Sequence, residues 1–383
     1  MTVPARAGWP APDDGRRGLT LPVLDVAGTP EDMGAEHGRV ARERLRAFAE
    51  ERVELAGTVV WTGRDLDRAQ VLALGERCLA AHRAYAPDLA AEIDAMAEAA
   101  DLTPAEVLIV NGFTDFVDTV YAVGGGSPPG EAPAPEAAMN CTAFLVPGGR
   151  SADGHAMLGQ TWDMHETATA HVIVLRGAPA HAPAFVAFTT VGCVGMIGMN
   201  EHGLCVGINN LTAGDGDVGV TWPFVVRKAL QQRDLDGALR CLTDARLAGA
   251  HNYLLLDRHG RGANVEATTT RAVVTPLAHD ALVHTNHCLF GETIARERPR
   301  DALASASSAE RFARGAALLD RDGLTPEDLQ AVTRDGEAIC YRGAPPRHVA
   351  TCGAVVMRPA TRDFWAVRGL PSDSPYTRVA LPA

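Results

Sequence analysis

The sequence predicts an α+β protein, a helical N-terminal part followed by antiparallel sheets that are covered by helices. Three observations carry this. Apolar residues recur at helical spacing before residue 124, and they alternate with period two after residue 140. A stretch rich in glycine and proline separates the two regimes. Short connections between the strands imply antiparallel pairing, and helices falling between strands imply sheets with covered faces.

The elements follow in order. Thr29-Pro30-Glu31-Asp32 is a helix start, with a capping hydroxyl, a proline in the first turn and acids at the positive end of the dipole. The periodic run it opens extends to about Leu55, a second covers Asp65 to Ala86, and a third Pro87 to Ala100. Thr103-Pro104-Ala105-Glu106 opens a fourth. Residues 124–135, GGGSPPGEAPAP, hold neither a helix nor a sheet and read as a mobile surface linker ending at Met139-Asn140-Cys141. Strands are then expected over Cys141–Val146, Ala156–Thr161, His171–Arg176, Ala184–Thr190 and Leu204–Asn209, with a tight turn at Asn200-Glu201-His202-Gly203. Helices at Trp222–Leu230 and Leu235–Ala245 precede strands at Tyr253–Asp257, Ala263–Ala267 and Ala281–His284. Helices at Ser308–Leu319 and Pro326–Val332 lead to a final hairpin of Gly353–Met357 and Phe364–Arg368.

Composition bounds the function. The chain has 383 residues, 46% hydrophobic and 21% charged, enough for one large core or two smaller ones. A net charge of −12 argues against a phosphate-binding surface, so no nucleic-acid partner is expected. No apolar run is long enough to span a membrane, and the N-terminus has no secretory apolar core. The eight cysteines include no CxxC pair and read as buried thiols in a reducing compartment, which makes the cytoplasm the expected location. Residues 1–140 carry 12 basic and 23 acidic side chains, whereas the remainder is nearly balanced.

Cys141 is the most informative residue. It opens a strand directly after the linker, a natural place for a chain to be cut, although a cysteine at a strand start is ordinarily a small buried hydrophobe. A cysteine made N-terminal acquires a base within its own residue, because an α-amine with a pKa of about 7.7–8 takes the thiol proton directly or through water. The same thiol, attacking the Asn140 carbonyl in the precursor, would cut its own chain.

The stretches Cys141-Thr142-Ala143-Phe144, Leu158-Gly159-Gln160-Thr161-Trp162-Asp163 and His284-Thr285-Asn286-His287-Cys288 occur here in that order. Gly198 to Leu204, Asn209-Asn210-Leu211 and Ser308 with Arg311 complete the set. Together they resemble the acyl-coenzyme A:6-aminopenicillanate acyltransferase (isopenicillin-N acyltransferase) family of N-terminal-nucleophile hydrolases, over about 141–370 and more weakly before it. The resemblance implies a four-layer αββα sandwich, with a helical segment 1–123, a linker 124–140 ending at the cleavage site Asn140–Cys141, and a catalytic segment 141–383. It implies Cys141 as nucleophile, Asp163 as holder of the new α-amine and Asn286 as oxyanion donor. Gln160, Thr142, His287 and Arg311 are the expected substrate-binding residues.

Plainer readings stand beside these. Asp163 is otherwise a solvated strand-end carboxylate, Asn286 a turn former, Arg311 a solvated helix charge, and Gln160 and Asn200 strand and turn structure. His284 and His287 with Cys288 lack a third ligand cluster nearby and point to opposite faces at strand spacing, so no metal is expected. One of the two histidines is expected to orient Asn286 or the linker end.

The family's fungal penicillin enzymes have glycine where Asn140 stands, a serine-arginine pair where Pro346 to Thr351 stands, and a hydroxyl residue at the position of Ala143. These departures fall on the penicillin chemistry, and they leave the nucleophile better supported than the substrate.

The expected enzyme hydrolyses or transfers the acyl group of a small N-acyl amide or acyl thioester, and its cleaved chains remain an α/β heterodimer. No cofactor is expected, acyl-coenzyme A entering only as an acyl-donor substrate. Two alternatives are an unprocessed ligand-binding relative and a thiol hydrolase pairing Cys141 or Cys193 with His284 or His287.

Overall fold

The structure is a computed structural model that describes residues 19–123, 141–343 and 348–382. The linker with Asn140, and Pro346 and Arg347 of the C-terminal stretch, lie outside the described residues.

The N-terminal segment folds into α1 (Pro30–Ala56), α2 (Val59–Thr62), α3 (Arg68–Tyr85), α4 (Pro87–Ala100), α5 (Pro104–Val110) and α6 (Phe113–Val123). The helix starts read from the sequence are formed. Thr29 Oγ1 accepts from the Asp32 amide at 3.2 Å, and the Asp32 carboxylate takes the Thr29 amide at 3.0 Å. Asp67 with Gln70 and Thr103 with Glu106 repeat this box at α3 and α5. Helices α1 and α4 touch backbone to backbone, because Gly34 and Gly38 of α1 have no side chain to keep them apart. A Cβ at these positions would stand 2.0 Å from Glu92 O and 2.4 Å from Met96 O.

Two sheets follow. The larger is built, in spatial order, from β1 (Val23–Gly28), β4 (Val172–Pro179), β5 (Phe185–Thr190), β6 (Ile197–Asn200), β7 (Cys205–Leu211), β8 (Ala250–Leu256), β9 (Gly262–Ala267) and β10 (Ala272–Pro276). The smaller runs β11 (Leu282–His284), β2 (Thr142–Val146), β3 (Met157–His165), β12 (Val349–Arg358), β13 (Asp363–Arg368) and β14 (Thr377–Arg378). The sheets stack closely. At Gly207 of β7 a Cβ would reach 2.9 Å from Gln160 Oε1 on β3.

Helices α7 (Trp222–Ala229) and α8 (Leu235–Thr243) cover the larger sheet, where Leu230 approaches Gly198 of β6 and α8 meets β8 and β9. After α9 (Gly291–Ile294), α10 (Ala302–Leu319) and α11 (Pro326–Thr333) cover the smaller sheet, Gly315 of α10 lying against Val283 and Thr142. The layers are therefore helix, sheet, sheet, helix. The largest apolar cluster takes residues from both segments, Leu45 and Phe48 of α1 with Ile208 and Leu254 of the larger sheet among them.

The structure extends the sequence reading in several places, β1, β10 and α10 among them. Strand β1 was not expected; it joins the larger sheet parallel to β4, the other pairings of that sheet being antiparallel. Its few residues abut the strong signal of α1. Strand β10 is an edge strand of alternating partial exposure that lacks an apolar face. Helix α10 starts six residues before Ser308, capped by Asp301, because its first turns are alanine and serine with little apolar period. At the expected 200–203 turn, Asn200 Oδ1 accepts the amides of His202 and Leu204 at 3.0 Å each, and Gly203 takes φ +74.

Gly38→Ala is expected to overpack the α1–α4 contact and destabilise the protein by about 1–3 kcal/mol, read as a lower urea midpoint at unchanged slope. An unshifted midpoint would mean that these helices separate at little cost.

Candidate active site

Cys141 stands at the head of β2, buried between the sheets. Register positions its neighbours. Thr142 pairs with Thr161 on β3, and the Thr142 amide donates to Thr161 Oγ1 at 3.2 Å. Two residues along β3, on the same face as Thr161, comes Asp163, itself paired with Thr351 on β12. Asp163 is 0% exposed, and neither carboxylate oxygen has a hydrogen-bond partner among the described residues. The hydroxyls of Thr161 and Thr351 approach it and lower its pKa, but they fall short of well-formed bonds.

Arg311 ties this corner together. It enters from α10, buried, and donates to Cys141 O at 2.6 Å, to Thr142 Oγ1 at 3.2 Å and to Asn286 Oδ1 at 3.0 Å. One turn earlier on α10, Ser308 Oγ accepts the Asn286 amide at 3.0 Å and lies 2.8 Å from His287 Nδ1. The Asn286 carboxamide donates in turn to Asn210 O at 2.9 Å.

Electrostatics follow from burial. The Cys141 thiol is pushed up to about 12, first by desolvation and then by the Asp163 carboxylate, with Arg311 pulling the other way. Asp163 is raised to about 7 by desolvation, which Arg311 only partly offsets. Cys141 is thus a protonated thiol beside a carboxyl poised near neutrality.

The thiol faces a cavity walled by Phe48, Phe113, Trp162, Met164, Trp222 and Ile208, with Asn210, His251, Thr114 and Arg52 as polar members. It leaves about 30 Å³ for the centres of water-sized spheres, room for a water or two, so an acyl group enters only as side chains such as Met164 and Met196 move. Gly112, at φ +117, bends the chain between α5 and α6, where a Cβ would strike Thr221 at 2.4 Å.

The expected site residues divide. Cys141, Thr142, Asp163, Asn286 and Arg311 come together at one end of β2. Arg311 is neither a solvated charge nor a wall of the cavity, for it holds the Cys141 carbonyl. Gln160 is committed elsewhere: its carboxamide accepts from Ile208 N at 2.8 Å and donates to Ile208 O, spacing β3 from β7. His287 reaches Asn286 only through Ser308. His284 is buried against Glu266, 2.7 Å away, and Thr285 O. Neither histidine lines the cavity with Cys141 and Cys193. Among the described residues, no group of three or more His, Cys, Asp or Glu side chains is placed to hold a metal.

Three residues on the cavity escaped the sequence reading. Asn210 places its backbone against the Cys141 thiol, and its Oδ1 has no hydrogen-bond partner among the described residues; its only signal was the Asn209-Asn210 pair ending β7. His251 lies 3.0 Å from Asp115, and Arg52 comes from α1. Nothing local in the sequence marks either.

Two stacked sheets between helical layers, with a buried thiol at the head of an inner strand, define an αββα protein with an enclosed thiol site. The family model described as Acyl-coenzyme A:6-aminopenicillanic acid acyl-transferase matches residues 150–371, more than half of the sequence, and the chain belongs to that family. The match includes Asp163, Asn210, Asn286 and Arg311 and starts nine residues after Cys141. Among solved structures, the chain is similar to a mutant of the conjugated bile acid hydrolase from Clostridium perfringens. Identity is 13%, with 63% of this chain and 98% of that chain covered and a TM-score of 0.40. It is also similar to penicillin V acylase from Agrobacterium tumefaciens, at 15% identity, with 60% and 83% covered and a TM-score of 0.42. No curated protein matches. No helix among the described residues is long and apolar enough to cross a membrane.

Between about pH 4 and 7 the folded chain keeps a proton on Asp163 that the unfolded chain has lost, so stability falls as pH rises through that window. In Cys141→Ala protein, Asp163→Asn is expected to stabilise the fold at pH 8 by a few kcal/mol at most, read as a raised Tm, and to change it little at pH 4. A lower Tm at pH 8 would show that the carboxylate has a partner in the uncut chain.

Proposed function

We propose that the protein is a self-processing cysteine N-terminal-nucleophile enzyme, cut between Asn140 and Cys141, that hydrolyses or transfers the acyl group of a small N-acyl amide. The two pieces remain a heterodimer. One observation carries the reading: beside the head of β2, where cleavage would create an ammonium, lies a fully buried carboxylate with neither oxygen hydrogen-bonded among the described residues. An ammonium at Cys141 is the partner Asp163 lacks, and the pair would draw the carboxyl back to its ionised form.

The chemistry follows. The α-amine in its neutral form takes the thiol proton, which burial otherwise holds in place, becoming the ammonium that pairs with Asp163, and sulfur attacks the acyl carbonyl. The carboxamides of Asn210 and Asn286, whose residues are coupled by a 2.9 Å bond, would donate to the oxyanion. The C–N bond breaks, the amine leaves with the proton, and a Cys141 thioester remains. Water completes hydrolysis; a second amine completes transfer. An acyl thioester such as acyl-coenzyme A loads the same cysteine with loss of its thiol.

Intact mass under denaturing conditions tests the reading. Two fragments meeting at Asn140–Cys141, with Cys141→Ala remaining whole, are expected. If both samples stay whole, the amine base is excluded. The acting pair then becomes Cys141 with His251, which shares its cavity and has Asp115 behind it, and His251→Ala abolishes activity of the intact chain. In the cut enzyme, Asn210→Ala is expected to lower kcat by about 10²–10³ with cleavage retained, measured on any amide the wild type turns over. An unchanged kcat would move the oxyanion contact elsewhere.

A further inference from the structure

Arg52 is a charged member of the cavity that the proposed reaction does not use. It sits on α1, 1% exposed, and none of its three guanidinium nitrogens has a hydrogen-bond partner among the described residues. The guanidinium carbon lies 4.6 Å from the centre of the Phe48 ring and 5.0 Å from that of Phe113, two walls of the Cys141 cavity. The carboxylate of Glu51 comes within 3.2 Å of Nη2 but not in hydrogen-bonding geometry, and its oxygen is taken by the Thr167 hydroxyl at 2.6 Å. The other titratable groups facing Arg52 are His165, His171 and the Cys352 thiol. Burial lowers the Arg52 pKa to about 10, which leaves it charged at neutral pH.

A buried cation with its donors unmade is costly, and a protein keeps one where a partner arrives from outside. The aromatic rings compensate part of the charge through their faces and leave the planar fork of N–H groups unused. That fork matches a carboxylate in two parallel bonds. We infer that Arg52 binds a carboxylate of the substrate, so that the acyl amide carries an anionic group beside an apolar body, and that the helical segment thereby sets the specificity of the Cys141 site. This rests on the acyl-amide reading above. The carboxylate belongs either to the acyl part, as in a dicarboxylic monoamide, or to the amine part, as in an N-acyl amino acid.

Two substrate pairs, each differing only in that charge, test it on the self-processed enzyme. Phenylacetylglycine is compared with phenylacetylglycinamide, and glutaryl-4-nitroanilide with its ω-amide. In at least one pair, wild-type kcat/KM is expected to favour the charged member tenfold or more, and the pair that shows it identifies the side carrying the carboxylate. Arg52→Gln is expected to lower the charged-to-neutral ratio about a hundredfold, and Arg52→Lys to restore part of it. A wild-type ratio near or below one in both pairs overturns the inference, and so does a ratio that both variants leave untouched. The wild-type ratio decides even if Arg52→Gln fails to fold. Turnover of the neutral members separates the two readings. If they acylate Cys141, seen as added mass, while charge brings no preference, only the assignment of Arg52 falls. If no member acylates Cys141, the acyl-amide reading and this one fall together.

Discussion

The site depends on one buried cation and what it must touch. Arg311 cannot sit between the sheet and its covering helix without partners, and those its guanidinium finds include the carbonyl of Cys141, the hydroxyl of Thr142 and the carboxamide of Asn286. Each contact fixes something different. The first pins the head of β2, the second sets where that strand begins, and the third aims the amide that follows β11. Ser308, one turn before it on α10, holds the Asn286 backbone from the same side. A single helix face therefore organises three parts of the site, and Arg311 also supplies the positive charge that acts on Asp163.

The helical segment belongs to this machinery. The bend after β5 that brings Cys193 to the cavity is gripped from the N-terminal side. His37 Nε2 accepts the Gly192 amide at 2.8 Å, and Asn111 takes the Val194 amide at 2.8 Å while donating to Gly192 O at 2.5 Å. Burial lowers the His37 pKa to about 4, so the ring stays neutral and keeps a lone pair to accept with. Near the start of α7, the Thr221 amide donates to His82 at 3.0 Å and the Trp222 amide to Asp115 at 2.6 Å. With Phe48 and Arg52 on the cavity wall, the helical segment is a structural half of the pocket as well as a cover over it.

What the sequence made legible was what local chemistry writes. Capping residues and periodicity placed the starts of α1, α4, α5 and α11, and a stretch rich in glycine and proline drew attention to Cys141. Asp163, Asn286 and Arg311 were singled out through short motifs, and they lie together beside Cys141. Gln160 stood inside one of those motifs too, yet its amide spans the gap between the sheets, because a polar side chain there must satisfy itself against the nearest backbone. Arg52 and His251 were invisible for the opposite reason. Each lies in an ordinary helix or strand, and only packing turns it toward the thiol. The ionisation state of Asp163 is likewise a product of burial that no spacing announces.

Strand β1 has a consequence for the life of the protein. It adds an N-terminal piece of chain to the edge of a sheet built from the other segment, and the core behind it draws on both. A chain severed at residue 140 after folding keeps every one of these contacts, but it has given up the tether that brought them together. If the chain is cut as proposed, folding is unimolecular once and bimolecular ever after, so refolding would depend on concentration and the cut molecule would last for as long as it does not open.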